Sequence, residues 1–171
     1  VSGAGDVNGD GFDDVIVGAW GADPNGEHSG SSYVVFGKAA GFDAAMNLSS
    51  LNGTNGFRLD GEAASDSSAR VSNAGDVNGD GFDDVIIGAA GADTNADSRN
   101  EGSSYVVFGK ASGFAATMNL STLDGSNGFR LDGEAAGDHL GLTVSTAGDV
   151  NGDGFGDVII SAVRVSLGFN S

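Results

Sequence analysis

The sequence predicts an all-β protein built from small antiparallel sheets that repeat along the chain. Three observations lead to this prediction. The string AGDVNGDGFDDVI occurs at residues 4–16 and 74–86, and it returns with one change at residues 147–159. Short clusters of Val, Ile, Tyr and Phe follow the copies, and such clusters are typical of strands. The chain also holds 31 Gly and one Pro, and Gly between strands favours tight turns.

The repeat has a nearly constant length. Equivalent aspartates lie 70 residues apart from Asp6 to Asp76, and 73 residues apart from Asp76 to Asp149. The additional residues fall in Gly-, Ser- and Asn-rich stretches, where loops are expected to vary in length. The period therefore divides the chain into a first unit at 1–66, a second at 67–137 and a truncated third at 138–171.

Each complete unit contains four predicted strands. The segment MNLSTLDG, before the fourth strand of the second unit, predicts one helical turn. Four antiparallel strands repeated in tandem suit the blades of a β-propeller, because stacked blades bury both faces of each small sheet. We therefore predict two complete blades and one truncated blade, with completion by oligomerisation as a further expectation. The strands predicted in the second unit are Ala69–Ala74, Asp84–Ala89, Ser104–Gly109 and Gly128–Asp132.

The third unit breaks off after its second strand. Beyond Ile160 the expected GAAGAD is replaced by SAVRVSLGFNS, which leaves a two-stranded hairpin that is marginal on its own in water. Such a hairpin packs on the second unit, pairs with another chain, or frays. Because unpaired strand edges recruit partners, we expect self-association through this unit.

The charge balance points to cations as partners. The chain has 24 acidic and 7 basic residues, and its formal charge is -17. This charge argues against binding to nucleic acid or to anionic membranes. The absence of Cys excludes disulfides, thiolate metal sites and cysteine nucleophiles. No apolar stretch approaches the ~20 residues of a membrane span, so no direct membrane insertion is expected.

The acidic loop inside each repeated string carries the predicted chemistry. Side-chain oxygens at loop positions 1, 3 and 5 converge when the loop curls, and Gly at position 6 permits the sharp turn. A backbone carbonyl at position 7 adds a ligand, and the Asp at position 9 closes the shell as a bidentate carboxylate. Hard oxygens in a flexible loop favour Ca²⁺ over zinc, copper or Mg²⁺, so we expect about one Ca²⁺ per repeat and three per chain. The predicted ligands are Asp6, Asn8, Asp10, Phe12, Asp14, Asp76, Asn78, Asp80, Phe82, Asp84, Asp149, Asn151, Asp153, Phe155 and Asp157.

Two alternatives bear on this interpretation. An EF-hand loop starts in the same way, but it needs Glu at position 12 between two helices, whereas position 12 here is Val17, Ile87 or Ile160 inside a predicted strand. The other alternative is a plain turn, since Asp, Asn and Gly favour turns. Three copies with identical ligand types favour the metal site, because three carboxylates in one small loop repel each other without a cation. Position 8 is interpreted as solvated or supporting, because the third copy has Gly156 there.

These motifs resemble a known family. GDVNGDGFDDVIVGA, followed by SYVVFG, is similar to the FG-GAP repeat of integrin α-subunit propellers and of many bacterial surface or secreted proteins, and the spacer NGFRLDGEAA resembles the bacterial type. The resemblance implies a seven-bladed propeller in complete members, calcium in the hairpin between the first two strands of a blade, and roles in adhesion or ligand binding. Two departures stand out: GAW at Gly18 and GAA at Gly88 replace Gly-Ala-Pro, and fewer than three blades cannot close a ring.

The expected function is that of a non-enzymatic, calcium-binding β-propeller module of a secreted or cell-surface protein, serving as a scaffold for adhesion or ligand binding. The partner is then a protein or glycan ligand, and a calcium-dependent carbohydrate-binding lectin is the alternative. An enzyme ranks third, because no nucleophile has a recurrent base partner.

Other residues with chemical potential receive plainer interpretations. His28 and His139 lie at non-equivalent loop positions and are expected to face solvent, and Trp20 is expected to be a packing or rim aromatic rather than a sugar platform. Arg58 and Arg130 are expected to pair with nearby acids. A second set of carboxylates is expected to form solvated turns rather than a second cation site: Asp60, Glu62, Asp66, Asp132, Glu134 and Asp138.

Overall fold

A computed structural model of the chain describes residues 1–94, 100–111 and 113–163, and in these residues the fold is all-β. Of the C-terminal tail at 161–171, residues 164–171 lie outside the described residues. No described helix is long and apolar enough to cross a membrane. The described strands are β1 (Ser2–Gly5), β2 (Asp14–Ala19), β3 (Ser31–Val35), β4 (Gly56–Asp60), β5 (Arg70–Gly75), β6 (Asp84–Ala89), β7 (Ser103–Val107), β8 (Thr117–Asn119), β9 (Gly128–Asp132), β10 (Val144–Gly148) and β11 (Asp157–Ile160).

The strands form three sheets, one for each unit. The first has the order β1-β2-β3-β4-β8, the second β5-β6-β7-β9, and the third β10-β11. Neighbouring strands within each unit are antiparallel, as predicted for propeller blades. The described sheets do not close into a ring, and the boundaries of the three units stay a prediction.

One strand is absent from the sequence prediction. β8 belongs to the second unit, yet it pairs in parallel with β4 of the first, with Leu59 opposite Met118. It occupies the start of the MNLSTLDG segment, and the predicted helical turn follows it as a 3₁₀ turn at Leu120–Thr122. The first sheet therefore gains a fifth strand from its neighbour.

The main core lies between the first two sheets. Strand periodicity turns Val85 and Ile87 of β6 toward the first sheet, where they join a cluster that includes Phe57 and Leu59. Each of these side chains is at most 1% exposed, and burial of one such side chain stabilises the fold by roughly 1.5–3 kcal/mol. Ile86, on the opposite face of β6, packs with residues of the third unit instead.

The third unit packs on the second unit. Val144, Val158 and Ile160 of the hairpin contact the cluster around Ile86, and the N–H of Gly156 donates to the carbonyl of Asp76 at 2.7 Å. Of the three fates expected for this hairpin, packing on the second unit is the one observed.

In each of the two complete units, a glycine at the end of the second strand permits the sheets to approach, whereas the third unit has Ser161 at the equivalent position. A Cβ on Gly18 would lie 2.0 Å from the carbonyl oxygen of Ala69, and a Cβ on Gly88 would lie 2.1 Å from that of Gly141. The backbone of the following unit therefore rests directly on this position. This contact explains why the first Gly of GAW and GAA recurs, although the Pro expected from the resemblance does not.

Candidate metal centre

Each predicted calcium loop connects the first two strands of a hairpin. We define loop 1 as residues 6–14, loop 2 as 76–84 and loop 3 as 149–157. They join β1 to β2, β5 to β6 and β10 to β11, as the sequence predicted. A register irregularity precedes each loop, where the glycine just before position 1 pairs with the aspartate at position 9. The three loops therefore leave their hairpins in the same way.

The side chains of loop 1 hold its backbone in a tight curl. The Asp6 carboxylate accepts hydrogen bonds from the N–H of Asp10 at 3.0 Å and from that of Gly11 at 2.9 Å. The side-chain oxygen Oδ1 of Asn8 accepts from the N–H of Asp10 at 2.9 Å, and the Asp10 carboxylate accepts from the N–H of Phe12 at 3.0 Å. Positions 1, 3 and 5 are therefore drawn toward the inside of the loop.

The same bonds recur in the other two loops. Asp76 accepts from Asp80 at 3.1 Å and from Gly81 at 2.9 Å, and Asp149 accepts from Asp153 and Gly154 at the same distances. The bonds of positions 3 and 5 also repeat. A pattern repeated three times with one geometry shows that the local sequence, rather than the different surroundings, dictates the shape of the loop.

The aspartate at position 9 is the most buried member of the set. Asp14 is 1% exposed and Asp84 is 0% exposed. One oxygen of Asp14 accepts from the N–H of Val7 at 2.9 Å, and the other accepts from the N–H of Gly37 at 2.8 Å. Asp84 makes the equivalent bonds to the second unit's backbone. This residue therefore fastens the loop to the end of the third strand, a role that the sequence analysis did not assign to it.

The loop carboxylates repel one another. Burial is the main reason that the pKa of Asp14 rises to about 6, and the negative charges of Asp10 and Asp6 add to that rise. The pKa of Asp84 also rises to about 6. Burial is again the main cause, and the negative charges of Asp80 and Asp76 add to the rise. The ion pairs of the described residues join arginines to acids outside the loops. The loops thus concentrate negative charge that a cation would relieve.

The donor set fits a hard divalent cation. Every candidate ligand offers oxygen, and a carboxylate or carbonyl oxygen that accepts one hydrogen bond keeps a second lone pair. Within residues 1–94, 100–111 and 113–163, no three acidic or histidine side chains already surround a common metal position. A bound ion would therefore rely on a mixture of carboxylate, amide and backbone carbonyl oxygens, as Ca²⁺ accepts. The fifteen ligand assignments stay predictions.

Position 8 behaves differently in the three loops. Asp13 is exposed, as expected for a solvated residue. Asp83 is half-buried, and its carboxylate accepts a hydrogen bond of 2.9 Å from the N–H of Asp6 in loop 1. No pattern in the sequence predicts this contact, because it joins residues from different repeats.

Two equivalent clefts flank loops 1 and 2. The first has a volume of about 350 Å³ and is lined by Asp10, Lys38 and Met46 among others. The second has a volume of about 320 Å³ and is lined by the matching residues Asp80, Lys110 and Met118. In both clefts a predicted metal ligand and a lysine belong to the lining.

The remaining candidate residues behave mostly as expected. Arg58 pairs with Asp60 at 2.7 Å, and Arg130 pairs with Asp132 at 2.8 Å and with Glu62 at 3.1 Å. The Asp66 carboxylate accepts from the N–H of Ala63 at 2.9 Å within its own turn, and Asp138 caps the equivalent turn. Burial raises the pKa of Asp66 to about 6. These carboxylates therefore serve turns and ion pairs. The expectation of solvated turns is wrong for two of them: Asp66 is 4% exposed, and Asp60 is 6% exposed and lies at the end of β4, paired with Arg58.

The aromatic and histidine candidates lie at the surface or near it. Trp20 is 64% exposed, with its ring 5.3 Å from that of His28. His28 is exposed as expected, whereas His139 is half-buried with Nδ1 3.1 Å from the carbonyl oxygen of Ala90.

Comparison with known proteins agrees with the geometry of the hairpins. The FG-GAP repeat family matches residues 1–35 and 69–107, which run from the first strand of each complete unit through its third strand. These two segments match FG-GAP repeats. These two matched FG-GAP segments each contain one candidate calcium loop, and the third loop lies beyond them.

One curated relative of these FG-GAP repeats is integrin alpha-6 of Gallus gallus. It is 26% identical to the chain over 164 residues. The alignment covers 95% of this chain and 13% of the integrin, so the chain spans a small part of that relative's length.

Proposed function

We propose that this FG-GAP chain is a calcium-binding module in which each loop holds one Ca²⁺, three per chain. The observation that carries the proposal is the threefold recurrence of one loop geometry, with the carboxylate oxygens of positions 1 and 5 and the amide oxygen of position 3 drawn inward. A hydrogen-bonded turn alone does not require three aspartates in one small loop. In loops 1 and 2, the negative charges at positions 1 and 5 add to the rise in the pKa of the position 9 aspartate.

Calcium would supply the positive charge that these loops lack. The ligands would be the carboxylates of positions 1, 5 and 9, the amide oxygen of position 3 and the backbone carbonyl of position 7. The position 9 aspartate links the site to the fold, because it accepts a hydrogen bond from a backbone N–H just after the third strand. Ion binding at this residue would therefore stabilise a whole hairpin and its neighbouring strand.

We further propose that the module is a non-enzymatic scaffold for adhesion or ligand binding in a secreted or cell-surface protein. The similarity to an integrin α subunit supports this assignment, and calcium is plentiful outside cells. The two equivalent clefts beside Asp10 and Asp80 offer a surface for a protein or glycan ligand. A glycan array probed with and without chelator tests the lectin alternative, since only a calcium-dependent lectin gives signals that the chelator abolishes.

Thermal unfolding tests the calcium proposal. At a calcium concentration 100 times the dissociation constant, each site adds about 2.7 kcal/mol of stability, and each kcal/mol raises the melting temperature of a chain of this size by about 2–4 °C. We expect a chelator to lower the melting temperature by about 10 °C or more, and Asp80→Ala to reproduce part of the loss. Asp43→Ala removes an equally exposed charge outside the loops and should have little effect. A melting curve that is the same with calcium and with chelator contradicts the proposal.

A further inference from the structure

Loops 1 and 2 touch each other directly. The N–H of Asp6 donates to the Asp83 carboxylate at 2.9 Å, and the N–H of Asp83 donates back to the carbonyl of Asp6 at 3.3 Å. Asp6 is position 1 of loop 1, and Asp83 lies between positions 7 and 9 of loop 2. A reciprocal pair of hydrogen bonds therefore ties a candidate ligand of one loop to a residue flanked by two candidate ligands of the next.

An aromatic contact and a further backbone hydrogen bond also connect loops 1 and 2. A Cβ placed on Gly9 of loop 1 would lie 2.3 Å from Cε1 of Phe82, so the ring of loop 2 rests on the turn of loop 1. Asp84 accepts from the N–H of Gly109 at 2.8 Å, and the N–H of the adjacent Lys110 donates to the carbonyl of Val7 at 2.9 Å. The position 9 aspartate of loop 2 is thus two hydrogen bonds away from the backbone of loop 1.

The contact between loops 2 and 3 is a reduced version of the same arrangement. Phe155 covers Gly79 as Phe82 covers Gly9, with the same 2.3 Å approach to a Cβ placed there. The backbone bond also recurs, from Gly156 to Asp76. Gly156 has no carboxylate to accept from the N–H of Asp76, so one of the two reciprocal bonds is missing.

We propose that Asp83 couples calcium binding at loops 1 and 2. This inference rests on the proposed calcium function. Because an ion in loop 2 immobilises the residues on both sides of Asp83, it holds Asp6 in its ligand position and lowers the entropy that loop 1 loses when it binds its own ion. By linkage the effect is reciprocal. Binding at these two loops is then positively cooperative, whereas loop 3 follows loop 2 more loosely.

Site-resolved calcium titration by ¹⁵N NMR tests the coupling. The amides of Gly11, Gly81 and Gly154 each donate to the position 1 carboxylate of their own loop at 2.9 Å, so each reports on one loop. In the wild-type chain we expect Gly11 and Gly81 to shift together along a curve steeper than that of a single site. The Gly154 curve should be less steep.

Asp83→Gly should remove the cooperativity between loops 1 and 2. Because the coupling is reciprocal, loss of the carboxylate should raise the calcium midpoints at Gly11 and at Gly81 alike, by about tenfold. Both curves should become single-site in shape. Asp83→Asn keeps an acceptor oxygen while removing the charge, so the titration curves of Gly11 and Gly81 should remain steeper than that of a single site. Asp83→Ala repeats the test should the glycine variant fail to fold.

Asp13→Gly is the matched control. It deletes the same side chain from the same loop position, but no other loop hydrogen-bonds to Asp13 in the part of the chain that the structure describes. In Asp13→Gly we expect the calcium midpoints at Gly11 and Gly81 to shift, while both curves stay steeper than that of a single site. Single-site curves at Gly11 and Gly81 in the wild-type chain, or curves in Asp83→Gly that stay as steep as in the wild type, would overturn the coupling and leave calcium binding intact. If none of the three glycine amides responds to millimolar calcium, the proposed function itself fails.

Discussion

Among single residues, the position 9 aspartates link the chemistry of the loops most directly to stability. The sequence identifies Asp14 and Asp84 as candidate ligands, because their spacing from positions 1, 3 and 5 is readable in the string. It does not predict their burial or their bonds to Gly37 and Gly109, because those partners lie on another strand. The contact of Asp83 at position 8 could not be predicted either, because it depends on how two repeats pack against each other.

The raised pKa values of Asp14 and Asp84 predict an unusual pH dependence for the calcium-free protein. Their pKa is about 6 when folded and near 3.8 when unfolded, so the folded state binds more protons between these values. The calcium-free protein should therefore become more stable as the pH falls from 7 toward 5, by at most about 2 kcal/mol per group. Asp66 contributes in the same direction.

Urea unfolding at pH 5, 6 and 7, with calcium removed, measures this dependence. With calcium bound the trend should reverse, because protons then compete with the ion for the carboxylates. Asp84→Asn should weaken the calcium-free trend, since one of the titrating groups is gone. A calcium-free protein that loses stability steadily from pH 7 to pH 5 would show that burial does not govern these carboxyl groups.

At the level of strands and turns, the sequence predicts the elements whose formation depends on their own residues. β6 and β9 have the bounds predicted for them, and β5 and β7 differ from prediction by one or two residues at their ends. Their β-branched and aromatic runs, bounded by Gly and Asp, are sufficient signals. β8 has no such run, and its partner β4 lies in the preceding repeat, so no local pattern announces it.

The contact that carries β8 can be tested with a pair of equivalent glycines. A Cβ on Gly53 would lie 2.1 Å from the carbonyl oxygen of Phe114, just ahead of β8, whereas a Cβ on Gly125 would meet nothing within 4 Å. Both have φ near +90°, so alanine carries the same backbone strain at each. Gly53→Ala should therefore destabilise the protein by about 1–3 kcal/mol more than Gly125→Ala in denaturant unfolding. Equal losses would mean that β8 does not depend on this approach.

For the molecule as a whole, the charge of -17 opposes association, and three calcium ions would cancel six of those charges. The third unit offers an exposed hairpin, with Ile159 62% exposed and Val150 75% exposed. The tandem all-β architecture was readable from the repeat, since the same pattern must fold the same way each time. The number of blades around a closed ring could not be predicted from the repeat, because it depends on contacts beyond the three sheets described here.

We expect self-association through the third unit when calcium is present. Within the described residues β11 pairs with β10 alone, so one of its edges is open, and unpaired edges attract further strands. Sedimentation velocity should show a species larger than the monomer that Ile159→Lys weakens, since a charge on this exposed position opposes close contact. A clean monomer at all concentrations in calcium contradicts the expectation.

The phenylalanine ring of each later loop rests on the turn of the loop before it. This contact limits how such an array can be lengthened or shortened. Gly9 and Gly79 must remain bare because Phe82 and Phe155 occupy the room that a side chain needs. Gly152 has the same backbone conformation, yet a Cβ there meets nothing within 4 Å. In an engineered series only the terminal copy is free to take Asn at this site, and any interior copy so altered would push its successor out of line.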